Sequence, residues 1–468
     1  MTQKKHEKES AVDCDLLISG AKLVIPDQGI ISADLLITGE RISGIVARGT
    51  EVNAKSVIDA RGLHALPGGI DPHVHWGNYG EFEDDAYSES RAAAIGGTTT
   101  VLLFQRIAAD YSQADTGRFV NMPFAETRRR AEANSVIDFA FSPIIHDVES
   151  AERVEVLRRE HQCTSFKFYL AYRDLPGALP GDDWNQVDDG LLLDTLISLG
   201  TIPGSLACIH AENSEILARS VKNAVKEPND GLAAWDKANP TAAEVEAIRR
   251  AGTFAELAGV PLYVVHLSGE DALESFRRTK QYFPTTYGET CVHYLAHSSE
   301  TGPVALKYSP PVRGNQDSDS LWAGLADGSV SCVASDSVCA PPSTKQGNVW
   351  DIARGAANAG IRLPLVLSSG VNSGRLTLEQ AVRVTSENAA RIFGLYPQKG
   401  VLAVGSDADI VLVDLAASLK SQEVFPTYEN YNEFRITGWP THTILRGALV
   451  AEDRRIIEDA PYGKFLPR

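Results

Sequence analysis

Gly68-Gly69-Ile70-Asp71-Pro72-His73-Val74-His75 reads as an apolar strand ending in two histidines spaced by two. Side chains alternate along a strand, so residues i and i+2 point the same way. Two imidazoles therefore converge where one strand stops, and both can reach a single cation. Pairs of this kind suit Zn²⁺, Mn²⁺ or Fe²⁺. His-x-His pairs also arise in cores and on surfaces without a metal. What decides the reading is whether the rest of the chain supplies partners.

The chain has 468 residues, enough for a large domain and a smaller one. Hydrophobic residues make up 43% and charged residues 22%, the balance of a soluble globular enzyme. Net charge is −17, which disfavours nonspecific nucleic-acid or anionic-membrane partners, because both need a positive surface. Met1 to Asp13 forms a polar, charged tail without the apolar centre of a signal peptide. No apolar run approaches the roughly 18 residues of a membrane helix. The six cysteines, scattered without a Cys-x-x-Cys pair, read as reduced thiols of a cytoplasmic protein.

Outward from the His pair, the chain divides into two textures. Short β patterns at Asp15–Ile25, Ala33–Val46 and Ser56–Ala65 return late, at Ala408–Leu415 and at Thr443–Glu452 with a turn at Gly447. They predict one small β-sandwich built from both termini, over 14–65 and 396–455, with a C-terminal tail at 456–468. The middle, 66–395, alternates strands and helices. Strand candidates are Ala65–His75, Thr98–Phe104, Ile137–Ile145, Ser165–Leu170, Ser205–His210, Pro261–His266, Thr286–Tyr294 and Ser331–Asp336. Amphipathic stretches such as Asp84–Ile95, Ala151–His161 and Glu244–Leu257 lie between them. This alternation predicts an α/β chain: a (β/α)8 TIM-like barrel rather than an open doubly wound sheet. No Gly-x-Gly-x-x-Gly follows the first strand, so dinucleotide binding has no support.

Catalytic groups on a barrel sit at the C-terminal strand ends. At strand ends, or within the apolar strands themselves, the sequence places His73 and His75, Lys167, His210, His266 and Asp336. Any one histidine has an ordinary explanation as a hydrogen-bonding residue, but metal-capable groups on so many strands are hard to reach by chance. Lys167 stands between Phe166 and Phe168, a costly place for an ammonium. It either snorkels to a salt bridge or reacts with CO₂ to a carbamate, whose two oxygens and negative charge could bridge two cations. The surrounding histidines favour the carbamate.

These residues and their flanks resemble the dihydropyrimidinase/hydantoinase branch of the amidohydrolase superfamily. The likeness runs through Pro67–His75, Arg91–Thr100 (RAAAIGGTTT), Ser165–Tyr172 (SFKFYLAY), Cys208–Glu212 (CIHAE) and Tyr263–His266 (YVVH). It continues in Gly288–Cys291 (GETC), Tyr308–Arg313 (YSPPVR) and Gly405–Asp409 (GSDAD). The resemblance implies a binuclear hydrolase that opens a cyclic amide, imide or ureide ring. His73, His75 and Asp336 would hold one divalent cation, and His210 and His266 the other. N6-carboxylated Lys167 would bridge them, with Zn²⁺ expected and Mn²⁺ or Co²⁺ as substitutes. A hydroxide between the cations would be the nucleophile. Asp336 would relay its proton to the leaving nitrogen, and Tyr172 would donate to the oxyanion. Ser309 would hold the substrate amide. Relatives of this kind assemble as homotetramers or homodimers, and Pro461–Lys464 resembles a tail that packs on a neighbour. Glu212, Asp71 and Glu289 are candidate partners for the far nitrogens of the histidines. His293 and His297 read as structural.

The pocket departs from the pattern. Ser337 follows Asp336, where the branch commonly has His or Gln, and Arg354 falls near the place of a substrate-facing Asn. Trp76 and Tyr79 could form an aromatic wall. Arg106, Arg173 and Arg354 could face a substrate carboxylate or make surface ion pairs. Dihydroorotases follow His-x-His with x-Arg, whereas Gly77 stands here, which argues against that activity. Alternatives within the same machinery are allantoin or a linear or bulky amide or carbamate as substrate. A non-catalytic scaffold of the dihydropyrimidinase-related kind is the remote one.

Overall fold

The strand that carries the His pair, Gly69–His75, is the first of eight parallel strands in a closed ring. The others are Thr98–Gln105, Asp138–Ile145, Ser165–Tyr169, Leu206–His210, Leu262–Val264, Thr286–Cys291 and Cys332–Ala334. Each pairs with the next in chain order. The eighth breaks at Ser335-Asp336 and resumes as Ser337–Val338, which pairs with Val74 and His75 and closes the ring. The expected (β/α)8 barrel is therefore present. The computed structural model describes residues 12–108, 122–173, 185–457 and 460–468. The predicted tail, Met1–Asp13, lies almost wholly outside them, and its last two residues already belong to the strand Val12–Ser19.

Barrel strands are buried on both faces, and their alternation sorts side chains between two cores. Leu102, Phe104, Tyr169, Cys208 and Tyr263 fill the interior. Val101, Leu103, Phe166, Phe168 and Ile209 face the helices. This places Lys167 inside the barrel, because both of its neighbours point out. The first glycine of the opening stretch has a steric cause: a Cβ on Gly68 would run into the Thr99 side chain.

The helices largely match expectation: Asp84–Ile95 is found as Phe82–Ile95, and Glu244–Leu257 as Thr241–Ala258. The helix expected over Ala151–His161 is instead two short ones, Val148–Glu152 and Val154–Arg159, meeting at Arg153. The seventh strand ends at Cys291, and Val292–Ala296 turns into a helix, so His293 is not a strand residue.

Both termini do build one β-rich unit, a ten-stranded mixed sheet. His64–Pro67 joins its halves, pairing with Lys22–Ile25 on one side and Ile410–Lys420 on the other. Its apolar core includes Ile18, Leu35, Ile37, Leu402, Ile410 and Ile444. A buried charge cluster ties this unit to the barrel. Lys399 Nζ lies 2.8 Å from Asp138, 3.0 Å from Asp407 and 2.6 Å from Asp409. Arg446 pairs with Asp138, and Arg41 with Asp407.

The C-terminal tail runs along the start of the third barrel strand of its own chain. Phe139 donates its N–H to Lys464 O, and Leu466 donates to Phe139 O. Phe465 packs against Phe124, Phe139 and Phe141 at centroid distances of 5.3, 6.1 and 5.6 Å. The physical reason is an exposed start of the third strand that Phe465 and Leu466 can cover. Among the described residues no helix is long and apolar enough to cross a membrane.

Candidate metal centre

At the C-terminal end of the barrel, ring nitrogens and one carboxylate converge. His73 Nε2 and His75 Nε2 are 3.1 Å apart, and Asp336 Oδ1 lies 3.0 and 3.3 Å from them. Ligand atoms about 2.1 Å from one tetrahedral cation are about 3.4 Å from each other, so this trio has the spacing of a shared ligand set. Across the barrel, His266 Nε2 lies 2.8 Å from His210 Nδ1. The rings of His73 and His266 stack at 5.5 Å, which brings the two sets together.

The far nitrogens are held by carboxylates. His73 Nδ1 meets Glu289 at 2.5 Å, and His210 Nε2 meets Glu212 at 2.7 Å. Such acceptors fix the ring and make it a better ligand. Tyr263 donates to the second oxygen of Glu289. Asp71 does something else: it accepts the backbone N–H groups of His73 and Ser335 and stands 3.7 Å from Arg362. It ties the first strand to the last.

Lys167 Nζ is wholly buried, 4.3 Å from the Phe104 ring centre and 5.0 Å from that of Tyr169. It has no hydrogen-bond partner among the described residues. Burial lowers its pKa to about 8, which puts a neutral amine within reach near neutral pH. The amine thus stands unpartnered inside the barrel, within electrostatic reach of His73, His75, His210 and His266.

Three residues here adopt left-handed backbone: Tyr172 (φ 70°), His266 (φ 43°) and Asp336 (φ 48°). Non-glycine residues seldom do, at about 1–3 kcal/mol each. The kink at Asp336 is what breaks the eighth strand and turns its carboxylate towards the histidines.

A cleft of about 940 Å³, opening to solvent, lies over this centre. Tyr172, Ser309, Arg354, Arg106, Tyr79 and Gln105 line it with the histidines and Asp336. Burial holds the Tyr172 hydroxyl above its ordinary pKa, so it stays a donor. Trp76 is not in the lining. It is 1% exposed and packs on Phe82 and Phe139 at 5.8 and 6.5 Å. Alternation after His75 sends it outward to the helices, and Tyr79 alone of the expected aromatic pair reaches the cleft. Arg173 is also absent from the lining and stands 3.7 Å from Glu215.

Sequence reasoning passed over Cys291 and the position of His293. Cys291, His293 and Asp336 offer ligand atoms within 4.8 Å of one another, as do His73, Glu289 and Cys291. Cys291 ends the seventh strand, a position that by itself flags a metal-capable residue. His293 stacks on Tyr308 at 3.6 Å, the packing contact of a structural residue.

Ser337, the unusual residue after Asp336, faces away from the cleft. Its hydroxyl donates to Glu89 at 2.7 Å and accepts the Asn358 N–H. Burial pushes the Glu89 carboxyl up to about 7. A carboxyl raised in the folded state supports folding while protonated, and that support is lost as pH climbs from its unfolded value through about 7. Glu89→Gln is therefore expected to stabilise the protein by about 2 kcal/mol at pH 8 and to give no gain near pH 4.5. Urea unfolding at the two pH values measures it.

A parallel barrel with converging histidines and an aspartate at its C-terminal mouth defines the class: a barrel enzyme of the metal-dependent kind. The profile of the Amidohydrolase family matches residues 197–450. The chain is 31% identical to a D-hydantoinase of Geobacillus stearothermophilus, across 95% of both chains. It is also 31% identical to an L-hydantoinase of Paenarthrobacter aurescens, covering 97% of this chain and 98% of that one. The crystal structure of a dihydropyrimidinase from Brevibacillus agri superposes with a TM-score of 0.86 at 30% identity, over 97% of this chain and 98% of the other. The chain belongs to the amidohydrolase family.

Proposed function

We propose that this protein is a hydrolase that opens a cyclic amide, imide or ureide ring at a two-cation centre, in the manner of a hydantoinase or dihydropyrimidinase. The observation that carries the reading is the unpartnered, buried Lys167 amine within electrostatic reach of His73, His75, His210, His266 and Asp336. Likeness to hydantoinases along almost the whole chain supports it. In this reading His73, His75 and Asp336 would hold one cation and His210 and His266 the other, with Lys167, once carboxylated, as a ligand to both. Zn²⁺ suits the imidazole and carboxylate donors, and Mn²⁺ or Co²⁺ can replace it. Two bound cations would bring the pKa of water from 15.7 towards ~7 and polarise the scissile carbonyl.

The chain's own residues do the rest. Asp336 accepts the proton of the attacking water and returns it to the ring nitrogen as the C–N bond breaks. Tyr172 donates its hydroxyl to the oxygen on which negative charge develops. Ser309, beside Tyr172 in the cleft lining, holds the amide or imide edge of the ring. Glu289 and Glu212 keep His73 and His210 in one orientation.

Chelation is expected to remove activity. Refolding or reloading with Zn²⁺ and bicarbonate is expected to restore it with two ions per chain, measured by elemental analysis. Less than one ion per chain in active protein contradicts the reading. Hydantoins, dihydropyrimidines, allantoin and linear carbamates, assayed by ultraviolet absorbance, separate the ring openers from the alternatives. D- and L-hydantoinases match equally well, so overall similarity does not choose a hand. We further propose a cytoplasmic homo-oligomer, consistent with cysteines that are all free among the described residues.

A further inference from the structure

The stretch Tyr308–Arg313 gives the cleft Tyr308 and Ser309, but its last residue, Arg313, is not in the lining. Arg313 is 4% exposed, a costly place for a guanidinium unless its hydrogens are taken up. Its Nη1 donates to Asp236 at 2.8 Å and to the Asn239 carbonyl at 2.6 Å. Its Nε donates to Ser268 Oγ at 3.1 Å, and Nη2 stands 3.5 Å from Glu244. Glu244, on the helix Thr241–Ala258, accepts both the backbone N–H and the hydroxyl of Ser268, at 3.1 and 2.5 Å. A buried cation and a buried anion therefore close on one residue.

That residue is two past His266. The His266 backbone is left-handed, φ 43°, a conformation a non-glycine residue keeps only where its surroundings impose it. On one side Glu289 accepts the His266 N–H at 3.3 Å. On the other, the clamp on Ser268 fixes where the chain goes next. His266 Nε2 is the nitrogen that lies 2.8 Å from His210 Nδ1. The charge of Arg313 also reaches Glu212, which holds the far nitrogen of His210. Both imidazoles of this pair thus lean on Arg313, one through its backbone and one through its carboxylate. Among the described residues Arg313 makes no hydrogen bond or ion pair with His73, His75 or Asp336. The support is one-sided.

We propose that Arg313 is a positioning residue for the second cation. Acting through Ser268 and Glu244, and through its charge on Glu212, it holds His266 and His210 in the arrangement that binds. The inference rests on the two-cation reading above.

The test strips the full-length protein with a chelator and titrates it with Mn²⁺ in bicarbonate. Electron paramagnetic resonance tells an isolated Mn²⁺ from a coupled pair. The wild type is expected to take two ions and to show the coupled signal. In Arg313→Gln the first ion is expected to bind as in the wild type. The second should bind on the order of 10- to 100-fold more weakly, the usual loss when a partner of a metal-bound histidine is removed, and the coupled signal should fade. Arg313→Lys keeps the charge without the fork and is expected to recover part of the second affinity. Arg313→Gln also leaves Glu244 and Asp236 without their cation, which endangers folding. Ser268→Ala cuts the same clamp and removes no charge, so it decides the matter if Arg313→Gln does not fold. Its second ion is expected to weaken by about 10-fold, the low end of that range. A role in folding alone would lower the urea midpoint and leave both affinities unchanged. Wild-type affinity for the second ion in Ser268→Ala and in folded Arg313→Gln overturns the proposal, as does equal weakening of both ions. A wild type that never takes a second ion overturns the two-cation reading itself, and the proposal with it.

Discussion

Lys167→Ala is expected to lower kcat/KM by on the order of 10³-fold or more and to cut the metal content from two ions per chain to one or fewer. The reasoning starts from the strand. Phe166 and Phe168 pack outward against helices, so the side chain between them enters the barrel. There its amine meets no partner among the described residues, and burial favours its neutral form. If that amine carries CO₂, its removal takes away a bridging anion from both cations at once. The loss then exceeds that of one oxyanion donor, about 10²- to 10³-fold. Folding is expected to survive, because the amine makes no hydrogen bond that alanine would break and only the packing of its methylene stem is lost. Two further measurements single out the carbamate. Short carboxylic acids such as acetate or propionate are expected to restore part of the activity to Lys167→Ala, since they return the two oxygens to the space vacated. Lys167→Arg is expected to stay inactive in the same assay, as its guanidinium cannot carry CO₂. Full metal content and activity in Lys167→Ala would sink the bridging role.

Lys399→Met is expected to cost about 3–5 kcal/mol of stability, the usual penalty for breaking a buried ion cluster from one side. Lys399 is 1% exposed, and three aspartates within 3.0 Å share its charge. Asp138 begins the third barrel strand, while Asp407 and Asp409 precede the strand Ile410–Lys420 of the β unit. Without the ammonium, Arg446 and Arg41 are left to face all three carboxylates. The deficit should narrow as pH falls, because protonation removes the unpaired negative charges. Urea unfolding at neutral and acidic pH reads both effects, and a cost under about 1 kcal/mol at neutral pH would show the cluster to be incidental. The same geometry gives a purpose to the Gly405–Asp409 motif. Two of its three polar side chains, Asp407 and Asp409, are anchors between the two units rather than part of the centre.

The barrel was legible because its strands are buried on both faces and its helices are amphipathic, and both leave periodic marks. The strand-end groups were legible for a related reason: a polar residue inside an apolar run is costly unless something requires it. Where reading failed, the cause was local geometry. Trp76 follows His75 by one residue, and one residue is the difference between facing the cleft and facing the helices. The split of the helix expected over Ala151–His161 turns on a single residue, Arg153.

By itself, then, the sequence placed His73, His75, His210, His266 and Asp336 at the strand ends of a parallel barrel and Lys167 within one of its strands. Strand periodicity is a local property, and it orients side chains before any tertiary contact forms. Only the tertiary structure decided how they meet. The left-handed turns at His266, Asp336 and Tyr172 are held by surroundings, not by residue type. So is the chain just past His266, which Arg313 and Glu244 clamp at Ser268. Contacts between residues far apart in the chain choose such conformations, and no window of sequence contains both partners.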